Sequence, residues 1–78
     1  MNLIEKKIRH MQENHIPASA LWVDRVYSED ALIRTDREVF NNCTFGEITE
    51  DGKVKIILSD GTFLWRVISH VKALFFDA

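Results

Sequence analysis

A single cysteine, Cys43, stands in a chain of 78 residues. No disulfide can therefore form within the chain, and neither a Cys₂His₂ nor a Cys₄ zinc site can be assembled from it. Proline is equally scarce, with Pro17 alone, and the glycines Gly46, Gly52 and Gly61 are scattered instead of gathered into a phosphate-cradling loop. No run approaches the roughly 18 apolar residues that a membrane-crossing helix needs. Met1 to His10 is charged and lacks the apolar centre of a secretory signal, so a reducing cytoplasm is the expected compartment. Neither sign of charge dominates. Ten Lys and Arg against twelve Asp and Glu leave a formal charge of −2, which points neither to a strongly basic nucleic-acid binder nor to a dense acidic mimic. Repeats and low-complexity tracts are missing as well.

What is there is an ordinary globular composition, 46% hydrophobic and 28% charged, which argues against disorder. A chain of this size buries only about 60 to 65% of its unfolded surface. The expectation is a single domain over residues 1–78 with one hydrophobic core and a need for support from a partner subunit.

From Asn2 to about Asn14, Ile4, Ile8, Met11 and His15 recur at spacings of three and four with Leu3 beside them, which predicts an amphipathic helix over 2–14. Asn2 caps it with Glu5 three positions on, and Asn14 and Pro17 end it. The body, 21–76, reads as mostly β. Trp22, Val23, Val26 and Tyr27 suit a strand from Leu21 to Tyr27, Ser28-Glu29-Asp30 a turn, and Ala31-Leu32-Ile33 a second strand. A helical reading of 17–40 competes, with Pro17 opening a second helix, Ser28 or Asp36 capping a third, and Leu32, Ile33, Asp36 and Phe40 along one face. Thr44 to Thr49 and Lys53 to Leu58 flank Glu50-Asp51-Gly52, and Asp60-Gly61 turns the second of these into Thr62 to Val67. The result is a three-stranded meander with a type I′ turn expected at Asp51-Gly52. Residues 68–76 suit either a helix or a short turn near Ser69-His70 followed by a strand from Val71 to Phe76.

Short strands on tight turns behind a helix resemble, in architecture, a small SH3-like or Tudor-like barrel over Leu21 to Phe76. The expected fold class is α+β, an N-terminal helix followed by a small antiparallel β-sheet or an SH3-like barrel.

Candidate chemistry is sparse. Cys43 lies between Asn42 and Thr44 without the local pattern of a cysteine nucleophile and reads as a small buried residue. His10 and His15 are five apart, off a common helix face, and His70 is remote, so no metal site is expected. The pairs Glu29-Asp30 and Glu50-Asp51 belong to turns, where they are solvated and do not face each other for acid and base work. No cofactor and no catalytic residue is therefore expected. Lys6, Lys7, Arg9 and His10 put positive charge on the exposed side of the helix, which suits either a solvated face, with Glu5 four residues before Arg9, or contact with phosphate. Lys53, Lys55, Arg66 and Lys72 near Phe63 and Trp65 could likewise serve stacked bases.

The aromatic residues carry the functional reading. Phe63, Trp65, Phe75 and Phe76 crowd the C-terminal quarter, and one small core cannot hide them together with Trp22, Tyr27, Phe40 and Phe45. In Thr62 to Val67, Phe63, Trp65 and Val67 project to one face and Leu64 to the other, so both faces need cover. Val71 to Phe76 makes a hazardous sheet edge unless it pairs. These residues predict a small, non-enzymatic interaction or regulatory protein. It would bind and modulate a protein partner as a homodimer or larger homo-oligomer, with Phe63, Trp65, Phe75 and Phe76 at the contact. Regulators and inhibitors of this size, including those of phages and mobile elements, are the comparison that size alone suggests. Two alternatives stay open: a nucleic-acid-binding regulator with Lys6, Lys7 and Arg9 on phosphates, and a sponge holding a small anionic molecule in an intersubunit pocket.

Overall fold

The computed structural model describes residues 2–77. Helix α1, Leu3–Glu13, precedes five strands: β1 Ala18–Glu29, β2 Leu32–Ile48, β3 Lys53–Ile57, β4 Phe63–Val67 and β5 Val71–Phe75. A one-turn 3-10 helix, Ile68–His70, links β4 to β5. The helix starts where the sequence predicts, with Asn2 Oδ1 accepting from the Glu5 amide at 2.7 Å, a cap worth about 1 kcal/mol. It ends at Asn14, whose amide donates to the His10 carbonyl, and His15 turns the chain away at φ 54°. Ile8 and Met11 are buried; His15, expected on the same stripe, is exposed.

All strands pair antiparallel in one sheet of order β4-β3-β2-β1-β5. The helical alternative for 17–40 therefore fails, since β1 and β2 cover this stretch, and the helical alternative for 68–76 fails to the 3-10 turn and β5. The sheet is open. Among the described residues β4 and β5 are its two edges and carry no pairing with each other, so of the two expected forms, a small antiparallel sheet or an SH3-like barrel, the structure shows an antiparallel sheet, five-stranded and not closed, behind one helix. Closure is a long-range property that strand lengths and turns do not encode.

The two Asp-Gly turns form where expected but not as two-residue loops. Gly52 and Gly61 sit at φ 86° and 89° while Asp51 and Asp60 do not have positive φ. The Thr49 amide bonds to the Lys53 carbonyl at 2.8 Å, and the Leu58 amide to the Thr62 carbonyl at 2.8 Å. Each is a three-residue loop ending in a left-handed glycine. The type I′ geometry instead occurs at Asp30-Ala31, with φ 50° and 62°.

One buried cluster joins Ile8 and Met11 of α1 to Ala18, Leu21, Val23, Cys43, Phe45, Val54, Ile56, Ile68 and Val71. Trimming such a side chain costs about 2 to 5 kcal/mol, so this cluster is what holds the sheet and helix together. No helix among the described residues is long and apolar enough to cross a membrane.

Candidate interaction surface

β1 and β2 are far longer than their partners. β5 pairs with β1 only from Ala20 to Val23, and β3 pairs with β2 only from Thr44 to Ile48. Beyond Val23 and Glu38 the two strands pair with each other alone, in unbroken register to Glu29 and Leu32. Among the described residues the outer segment is thus a two-stranded ribbon without a third strand, and the molecule measures 42 × 28 × 19 Å. An isolated ribbon of this kind is marginal in water.

Cross-strand partners share a face, which sorts the ribbon's side chains. On one face lie the pairs Trp22 and Val39, Asp24 and Arg37, Val26 and Thr35, and Ser28 and Ile33. On the other lie Val23 and Glu38, Arg25 and Asp36, Tyr27 and Arg34, and Glu29 and Leu32. Both faces are wet. Ile33 is 81% exposed and Leu32 58%, with Val26 and Val39 also exposed. Ion pairs decorate the ribbon, Arg37 to Asp24 at 3.2 Å and Arg34 to Glu29 at 3.6 Å, and solvated pairs like these contribute at most about 1 kcal/mol each. Arg25 lies 5.0 Å from the Tyr27 ring centre. The nearby Asp36 carboxylate raises the Tyr27 phenol above its ordinary value.

The ribbon's base is tied down more firmly. Arg66 of β4 donates from Nε and Nη2 to the two Glu38 carboxylate oxygens, each at 2.8 Å, and from Nη1 to the Trp65 carbonyl at 2.8 Å. This half-buried fork holds the Glu38 carboxyl below its usual range and the guanidinium above its own. Next to it runs an open cleft of about 490 Å³ lined by Asp24, Arg25, Lys53, Trp65, Arg66 and His70, among others.

The four aromatics singled out from sequence do not make one patch. Phe63 and Trp65 project from edge strand β4, and the Lys55 ammonium sits 4.1 Å from the Phe63 ring centre. Phe75 lies on the opposite edge strand, β5, with its ring edge-on to Trp22 at 5.5 Å and 61°, and exposed Phe76 follows it. Lys6 and Lys7 are exposed; Arg9 is half-buried, with its Nε buried and, among the described residues, without a hydrogen-bond partner. Glu5 and Arg9 form no ion pair among the described residues. Sequence reasoning missed Val26, Leu32, Ile33 and Val39 as a surface. The signal was present in Arg34-Thr35-Asp36-Arg37-Glu38, a charged strand on both faces between apolar ends.

Cys43 is buried in the cluster and burial pushes its thiol up, away from the thiolate form. Glu29, Asp30, Glu50 and Asp51 are exposed at turns. Among the described residues no three His, Cys, Asp or Glu side chains gather to hold a metal. No protein-family model, curated protein or solved structure matches the chain.

Proposed function

We propose that this is a small, cytoplasmic, non-enzymatic interaction protein that binds and modulates a protein partner and works as a homo-oligomer. The observation that carries the reading is the ribbon: a paired segment outside the buried cluster that holds Val26, Leu32, Ile33 and Val39 in water. Apolar side chains on a projecting element gain about 25 cal/mol for each Å² that a partner covers. Phe75 against Trp22 extends the face of Val26, Ile33 and Val39 toward β5, so part of the expected aromatic contact joins this surface. The strand order and the 3-10 link between the two edge strands support an SH3-like arrangement as the finer fold class.

The cleft beside the ribbon favours a second reading, capture of a small anion or a nucleic-acid phosphate. Arg25, Lys53, Arg66 and His70 supply donors and Trp65 a stacking face. Against it, Arg66 is already committed to Glu38 and Asp24 brings negative charge to the same cleft.

Capture from cell extract separates the two. Wild type should retain a protein that a Val26→Asp, Ile33→Asp double variant loses, with little change on nuclease treatment or at raised salt. Retention that nuclease or salt abolishes favours phosphate contact. A small molecule released by heat from purified wild type favours the anion sponge.

A further inference from the structure

The ribbon leaves a row of backbone donors and acceptors without a strand. A two-residue loop makes Glu29 and Leu32 a hydrogen-bonded pair, and the register runs without a shift to Val23 and Glu38. Alternation then directs the backbone groups of the even-numbered β2 residues from Leu32 to Glu38 toward β1. Those of Ile33, Thr35, Arg37 and Val39 point away from β1, and β3 pairs only from Thr44 onward. An exposed edge of this kind is a template for another strand.

We infer that the partner on this edge is a second copy of the same edge, paired antiparallel about a two-fold axis at Asp36 so that the two sheets become continuous. The inference rests on the interaction-protein reading for the claim that the ribbon is a contact surface, and it names the occupant. The register follows from the sequence of the strand. Centred on Asp36, Ile33 faces Val39 of the second copy, Leu32 faces Phe40, Arg34 faces Glu38, and Thr35 faces Arg37, each twice by symmetry. Cross-strand apolar and opposite-charge pairs are what stabilise such a ladder. Moving the axis to Thr35 keeps an arginine against a carboxylate, Arg34 opposite Asp36, but puts Ile33 opposite Arg37 and Leu32 opposite Glu38. Moving it to Arg37 puts Asp36 opposite Glu38 and Ile33 opposite Asn41. The Asp36 register alone sets apolar against apolar and arginine against carboxylate, at the cost of two like charges on the axis.

The other edge of the ribbon has no such match. Pairing β1 with itself about Val26 gives one apolar contact and no charge pair, while pairing about Tyr27 sets Arg25 against Glu29 but Val26 against Ser28. On the β2 edge, Ile33 of the second copy extends an apolar row through Val39 and Trp22 to Phe75. Glu38, already held by Arg66, gains Arg34 of the second copy as another donor.

Cross-linking reads the register directly. Asp36 would face itself in a non-hydrogen-bonded pair with Cα atoms about 4.5 Å apart, inside the range of about 4.4 to 6.8 Å that a disulfide spans. Thr35 would face its own copy only diagonally, beyond that range. With oxidised glutathione, Asp36→Cys should therefore give a disulfide-linked dimer and Thr35→Cys should not, while buried Cys43 leaves the wild type unlinked. Light scattering should show a wild-type dimer at high micromolar concentration, Ile33→Asp should weaken it at least about tenfold, and Asp36→Asn should tighten it. A wild-type monomer overturns the inference, as does a dimer that Thr35→Cys locks and Asp36→Cys does not. If a monomeric wild type still captures a protein through the ribbon, the interaction reading stands and only the self-pairing falls.

Discussion

The body and the ribbon are built from one pair of strands and obey different physics. At Leu21 and Val23, β1 is fully buried beneath the cluster shared with Ile8, Val54 and Ile56. Three residues on, Val26 is exposed, and from Leu32 to Arg37 every β2 residue is exposed. The first half is held by apolar burial. The second is held by its ladder, its turn and solvated ion pairs, which together leave it close to the limit of what a lone hairpin sustains. Stability therefore resides at one end of the hairpin and exposed apolar surface at the other.

The sharpest way to break that contrast is a pair of truncations. Leu21→Ala should cost about 2 to 5 kcal/mol in urea unfolding, whereas Ile33→Ala should change the monomer's stability by no more than about 0.5 kcal/mol. Equal losses at the two sites would show the ribbon to be part of the core. Next in size is the fork at the ribbon's base. Glu38 has a carboxyl lowered in the folded state by Arg66, so its contribution is complete above the unfolded carboxylate value of 4.5 and is lost as pH falls through the folded one. Glu38→Gln should cost about 1 to 3 kcal/mol at neutral pH and flatten the acid limb of stability against pH. A variant with the same acid limb as wild type would remove the fork from the account.

The turns give smaller and more local effects. Gly52→Val places a β-branched residue at φ 86° and should cost at least about 1 to 2 kcal/mol, while Asp51→Val, at negative φ, should cost less. At the ribbon tip, Ala31 occupies φ 62° without being glycine, so Ala31→Gly should stabilise the hairpin by about 0.5 to 1 kcal/mol. Thermal unfolding of both variants checks the signs.

The same contrast explains what the sequence revealed. The helix was legible because Ile8 and Met11 are buried on one side and Asn2 caps the start, and the C-terminal meander because Asp51-Gly52 and Asp60-Gly61 punctuate it. Residues 17–40 stayed ambiguous for a physical reason: periodicity records a buried face, and the ribbon buries neither. Leu32 and Ile33 look like a core run in sequence yet project to opposite wet faces. Phe63, Trp65, Phe75 and Phe76 are close along the chain, which suggests a common contact. The 3-10 turn then sends β5 across to pair with β1, leaving β4 and β5 at opposite edges of the sheet. No local pattern encodes that crossing, nor whether the sheet that results closes on itself.

Amide hydrogen exchange on the ribbon tests the account most directly, because the amides of Ile33, Thr35, Arg37 and Val39 point outward from the hairpin while those of Arg34, Asp36 and Glu38 point into it. If the outer edge is a contact surface taken by a second copy, the four outward amides exchange slowly at high protein concentration and speed up on dilution, while the inward ones change less. Rapid exchange of all four at every concentration would contradict it.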